Sequence, residues 1–226
     1  MPSDRIRLTV AEARDHAERA MRGIGYDPEE ANIVADHAID AALCGYEYSG
    51  LAKLLNIPEH RRFQQPRRPI RLLRETQVSV LYDGGNNVGM LAMYHATRAA
   101  IAKGATHGFA IVGVTNSWMS GRNAYYVEMI ANANLIGIHT AGSARTVAPP
   151  GGTRPALGTN RLPSACRPLA DRLSSIWGPR RSWAPIWRTA SEWGRCCRKG
   201  WQSIPKANRH ATDPGESWCP ATVRRL

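Results

Sequence analysis

The feature that most constrains what this chain can fold into is a break in composition near residue 160 of 226. Residues 161–226 hold 13 Lys and Arg against 4 Asp and Glu, so most of the formal net charge of +12 sits beyond the break. Six of the seven Trp (Trp177, Trp183, Trp187, Trp193, Trp201, Trp218) and four of the five Cys lie there too, with one Val, Val223. All seven Tyr and both Phe precede it. A folded domain rich in Trp normally also fills its core with Phe, Tyr and Val. The tail has no apolar period of 3.6 or 2 residues and is expected to be irregular. A fold must therefore be built from residues 1–160, where 17 Lys and Arg meet 14 Asp and Glu.

That distribution removes the most obvious reading of a basic protein. The body is nearly neutral, so the charge is not the footprint of a nucleic-acid-binding domain. Arg and Trp in the tail could stack on single strands only from an ordered platform, and nothing in the pattern supplies one. No apolar run reaches the roughly 18 residues of a membrane span. Met1 to Arg5 leads into an amphipathic segment without a signal-peptide core. The body's lone Cys44 fits a reducing compartment, and a cytoplasmic protein is expected. Cys166, Cys196, Cys197 and Cys219 lack metal-ligand spacing, and no metal site is expected.

The body opens with two helix starts. Thr9-Val10-Ala11-Glu12 is a capping box, followed by Ala13, Ala17, Ala20 and Met21 at helical spacing and by Gly23 and Gly25. Asp27-Pro28-Glu29-Glu30 starts a second helix, with Ile33, Val34, Ala38, Ala41 and Ala42 on its buried face. A short helix is predicted over 51–56, then a basic, Pro-broken connector over 61–74. From Gln77 the texture changes: a strand over 77–83, the turn Gly84-Gly85-Asn86-Asn87, a helix over 90–103, a buried strand over 108–114, a helix over 124–134 and a strand over 135–140. This order predicts an α/β layer after a helical arm. His37 and His95, on helical patterns, read as core or surface histidines; His60 and His107 are loop candidates.

The runs Ala41 to Gly50, Asp83 to Gly89, Asn116-Ser117, Val147 to Gly152 and Leu157-Gly158-Thr159-Asn160, in that order, resemble the type-2 malate/L-lactate dehydrogenase family over residues 5–160. The resemblance implies an α/β fold: a helical N-terminal arm, then an incomplete cofactor domain that is not of the Rossmann type, then the irregular tail. Consistent with that, no G-x-G-x-x-G opens a helix after a strand. It implies an NAD- or NADP-dependent homodimer that moves hydride between nicotinamide and C2 of a small 2-hydroxy or 2-oxo acid. A side chain must then handle the hydroxyl proton and cations must hold the carboxylate. The family's Ser-His-Gly is Tyr48-Ser49-Gly50 here, so Tyr48 and Ser49 become the candidate proton relay. Lys53 stands where Arg is frequent, and Lys53 and Arg122 are the candidate anion binders. Met119 replaces a second frequent His. The candidate cofactor residues are Ser117, Met119, Ser120, Gly121, Gly158, Thr159 and Asn160.

The family pattern stops after Gly158-Thr159-Asn160. Moving the codon boundaries back by one base permits a reading with Pro directly after Asn160 and an apolar strand ending in Asp. The tail is therefore expected to be out-of-frame translation, rich in Arg, Pro and Ala as GC-rich DNA dictates. The expected organisation is a helical region 1–75, a partial α/β domain 76–160 and a poorly structured tail 161–226. Such a piece can be inactive or the product of a decayed gene, because the rest of the cofactor domain is missing and sheet edges stay uncovered.

Overall fold

Thr9 and Asp27 each do what their spacing predicts. In this computed structural model, which describes residues 6–158 and 161–166 and the backbone of 173–177, 188–189 and 218–219, both close complete capping boxes. Thr9 Oγ1 accepts from the Glu12 amide at 3.2 Å, and Glu12 accepts from the Thr9 amide at 2.8 Å. Asp27 and Glu30 repeat the exchange. After a short β1 (Leu8–Thr9) these boxes start α1 (Val10–Gly23) and α2 (Pro28–Leu43). A 3-10 turn, Glu47–Ser49, leads into α3 (Leu51–Glu59).

The basic connector is not all coil. Its end forms β2 (Arg71–Glu75), paired antiparallel with β3 (Ser79–Asp83), which in turn runs parallel to β4 (Ile111–Thr115). The crossover between β3 and β4 is α4 (Gly89–His107). Val80, on the side facing α4, is buried, whereas Leu81 and Ile111 point the other way and are 40% and 61% exposed. The strand over 108–114 was expected to be buried. It starts later, and it is only half-covered because, among the described residues, helices pack on one side of the sheet.

Next come α5 (Ala124–Asn132) and β5 (Gly137–Ile138). β5 pairs antiparallel with β6 (Leu162–Cys166), β6 with β7 (Leu173–Trp177), and β7 with β8 (Arg188–Thr189). β9 (Trp218–Cys219) pairs with β1. Thus the first residues past the compositional break extend a sheet, and Ala165 is buried with Val127 and Ala131 of α5. The other tail residues lie outside the described ones.

One core joins the two textures of the body. Met21, Val34, Ala38 and Ile57 pack with Val88, Met90, Leu91 and Trp118. The turn expected at 84–87 seats this core on the sheet. Gly85 has φ +62, and a Cβ there would collide with the Arg68 carbonyl, so only glycine fits. No helix among the described residues is long and apolar enough to cross a membrane.

Candidate active site

The loop between β4 and α5 carries an unusual density of left-handed backbone: Asn116 at φ 52, Met119 at φ 58 and Gly121 at φ 70. Asn can occupy that region through local hydrogen bonding, and Asn116 Nδ2 donates to Asp83 at 2.9 Å. Met has no such help. A non-glycine residue held there costs about 1–2 kcal/mol, so its surroundings must over-determine it.

They do so from every side. The Trp118 ring stacks on His60 with centroids 4.4 Å apart and planes 6° from parallel, and its Nε1 donates to the Asn86 carbonyl at 2.9 Å. His60, a loop histidine with no evident partner in sequence, thus has one. The Gly89 amide donates to the Trp118 carbonyl, and a Cβ on Gly89 would meet Ser120 at 2.9 Å. The Tyr126 hydroxyl donates to the Ser120 carbonyl at 2.6 Å. Beneath Gly121 lies His37, which is fully buried; its Nε2 accepts from the Arg122 amide at 2.8 Å.

Arg122 does not enter the site as an anion binder. Its guanidinium is 2% exposed and donates to Asp40 at 2.8 Å and to both oxygens of Glu128 at 2.8 and 2.6 Å. Burial works against its charge, but the two carboxylates outweigh burial and raise its pKa. Asp40, by contrast, is pushed up to about 6 by burial and by the negative charges of Glu128 and Asp36, which Arg122 only partly offsets.

Above this loop is a cavity of about 210 Å³, lined by Tyr48, Ser49 and Lys53 from one end of the helical arm and by Met119, Ser120, Gly121 and Asn123. Ala141, Gly142, Ser143 and Arg161 complete it. Six residues selected from sequence therefore meet in one place. Ser117 and Gly158 do not line it: Ser117 sits against Gly84, where an added Cβ would be 3.0 Å from its own Cβ, and Gly158 is buried elsewhere. Thr159 and Asn160 lie outside the described residues.

The chemistry of the cavity is cationic and phenolic. Tyr48 is 59% exposed, and the Arg161 guanidinium donates to its hydroxyl at 3.4 Å. Lys53 Nζ is 6.0 Å from the Tyr48 ring centroid. Partial burial raises the phenol's pKa, but the hydrogen bonds its oxygen accepts from Ser49 and Arg161 and the two positive charges together leave it below the ordinary value. Among the described residues no carboxylate lines the cavity. Arg161, Asn123 and the 141–143 loop were missed in sequence. Asn123 could have been found as the neighbour of Arg122 and Arg161 as the residue after Leu157-Gly158-Thr159-Asn160, while Ser143 lies in a segment without a motif.

Comparison with known proteins gives this arrangement a context. The family model described as malate/L-lactate dehydrogenase matches residues 8–169. The chain is 35% identical to the malate dehydrogenase of Pyrococcus abyssi over 180 residues, covering 76% of this chain and 49% of that protein. It is 31% identical to the L-sulfolactate dehydrogenase of Methanothermobacter thermautotrophicus, covering 69% and 46%. The solved malate dehydrogenase of Pyrococcus horikoshii OT3 superposes with a TM-score of 0.71 at 30% identity, over 81% of this chain and 53% of that one. The chain spans about half the length of the curated relatives it matches. The matched span and the shared architecture place this chain in the malate/L-lactate dehydrogenase family.

Proposed function

We propose that the cavity is the acid-binding end of a 2-hydroxy-acid dehydrogenase site. The observation that carries this reading is the convergence of Tyr48, Ser49 and Lys53 with the Met119–Gly121 loop in a cavity whose described lining has two cations and no carboxylate. Lys53 holds the substrate carboxylate by a charge-assisted hydrogen bond; Arg161, the first residue past the compositional break, only adds positive charge at the rim. Tyr48 handles the proton on the C2 oxygen, its phenol tuned downward by Ser49, Arg161 and Lys53. Ser49, 2% exposed, keeps the phenol oriented. Arg122, Asp40 and Glu128 form the buried base of the loop and do not touch substrate.

The reaction requires a hydride carrier, for which NAD or NADP is the implied group. The cavity lies below the roughly 300 Å³ at which pockets begin to enclose drug-sized ligands, so the described residues suit a small acid and do not enclose a dinucleotide. Homodimerisation belongs to the same reading; the uncovered apolar face at Leu81, Phe109 and Ile111 supports it. A cytoplasmic location belongs to it too. The out-of-frame origin of the tail is a separate part of the proposal, supported by its Trp, Arg and Cys content. A family pattern resuming in the shifted frame of the coding DNA is its test.

Calorimetric titration of the full chain with oxalate, a stable 2-oxo-acid analogue, tests the site. Binding is expected, with affinity falling about tenfold in Lys53→Met, the loss of one charge-assisted contact worth about 1.5 kcal/mol. NAD(P)H oxidation with oxaloacetate or pyruvate is expected to fall about 10²-fold or more in Tyr48→Phe while oxalate still binds. A wild-type chain that ignores oxalate, or a Lys53→Met variant that binds it equally well, refutes the assignment.

A further inference from the structure

His37 is the buried titratable group that the proposed chemistry leaves unused. It projects from the middle of α2, is fully buried, and is flanked by the rings of Tyr125 and Tyr126 at 4.6 and 5.4 Å. A buried imidazole there could be mere filling. Two contacts point to more. Its Nε2 accepts the Arg122 amide, the first backbone donor after left-handed Gly121. The space against the same nitrogen is so tight that a Cβ on Gly121 would overlap it. Accepting at Nε2 requires the neutral ring with its proton on Nδ1. Burial, and then the charge of Arg122, keep the ring neutral by lowering its pKa to about 3.

We propose that His37 is a positioning residue: its Nε2 pins the Gly121–Arg122 backbone and thereby holds Met119, Ser120 and Gly121 as one wall of the cavity. Other bonds tie Asn116, Trp118 and Ser120 and the Arg122 side chain; His37 holds the backbone itself at the far end of the loop, where the chain turns into α5. Packing alone would be served by any side chain of similar size. The pin requires an acceptor. The ligand arm of the test rests on the acid-binding reading above; the backbone arm does not.

The backbone arm is amide hydrogen exchange at Arg122, read by NMR on the full chain. In His37→Leu, similar in volume but without an acceptor, the Arg122 amide is expected to exchange at least tenfold faster. In His37→Gln, whose carboxamide oxygen can replace Nε2, protection is expected to return to within about threefold of the parent. Ile39→Val, a core truncation on the same helix, controls for lost global stability and is expected to leave the Arg122 amide selectively protected. Equal exchange in His37→Leu and the parent overturns the proposal. So does a His37→Gln variant as open as His37→Leu, or an Ile39→Val variant that opens Arg122 as far. In the ligand arm, oxalate affinity is expected to fall about tenfold in His37→Leu and to recover in His37→Gln. Failure of the parent chain to bind oxalate counts against the dehydrogenase reading, while the exchange data decide the role of His37.

Discussion

Gly121→Ala is the sharpest single perturbation of this site, because three separate penalties fall on one methyl group. The backbone at φ 70 is left-handed, which costs an L-residue about 1–2 kcal/mol. The new Cβ would overlap His37 Nε2 and lie 3.1 Å from Met90 Cγ, both fully buried side chains. Forcing a methyl into such a core costs about 1–3 kcal/mol. Any shift that relieves the overlap lengthens the bond from the Arg122 amide, and a buried donor left unmet costs about 1–3 kcal/mol. Because relieving the overlap trades the second penalty for the third, the expected loss is about 4 kcal/mol, in the lower half of their summed range. Gly108→Ala is the built-in control. Gly108 has φ +77 but nothing within 4 Å of a Cβ, so it carries the conformational term alone, about 1 kcal/mol. Urea denaturation of both variants isolates the crowding term. With a slope of about 1–3 kcal/mol/M, the Gly121→Ala midpoint should fall at least 1 M below that of Gly108→Ala. Equal midpoints would refute the claim that His37 and Gly121 are in obligatory contact.

Arg122→Met leaves Asp40 and Glu128 facing each other without their shared cation and should cost about 3–5 kcal/mol by denaturation; adding Glu128→Gln should recover part of it, and no recovery would contradict the shared-cation account. Stability should fall with pH below neutrality. Unfolded His titrates near 6.5, but burial, with Arg122 beside it, holds His37 down to about 3, and burial holds His139 down to about 4. The unfolded chain therefore binds up to two extra protons as pH drops, so this contribution is full above 6.5 and is lost on acidification. Asp40 works in the opposite sense. Its raised value of about 6 makes the folded state take a proton first, returning about one proton between pH 6 and 4. The net expectation is a loss of about 1.4 kcal/mol per pH unit in that window, measured as urea midpoints against pH; a flat profile contradicts it. Thr9→Ala should cost about 1 kcal/mol through loss of the first capping box, with no change in oxalate affinity.

The helical arm was legible because its signals are local. A Thr or Asp followed three residues later by Glu satisfies its own helix end wherever the chain sits, and both boxes formed. The strand at 79–83, the turn after it and α4 were legible for the same reason. β2 was not, because Arg71, Leu72 and Arg74 carry no alternation that distinguishes an edge strand from coil; only pairing with β3 makes them one. β4 was read as buried from a run of apolar residues, but such a run does not say whether one face of the sheet or both will be covered. Half of the site followed from residue types at matching places in the chain. Arg122 did not: its neighbours in sequence are Gly121 and Asn123, and nothing there reveals that Asp40, 82 residues earlier, waits under it.

By itself, then, the sequence determined where helices start, which residues the family resemblance singles out, and that the charge and Trp beyond residue 160 belong to a different texture from the body. Helix starts depend on side chains within a few positions of one another, and the other two on order and composition along the chain. Which candidates reach the cavity, and which stay beneath it, was decided only in three dimensions. Lys53 and Arg122 are both cations near suggestive motifs, yet among the described residues one meets no carboxylate in the cavity and the other meets two in the core. A buried guanidinium is tolerable only with such partners. Their convergence is a property of how α2 and α5 pack, and no span of neighbouring residues encodes it.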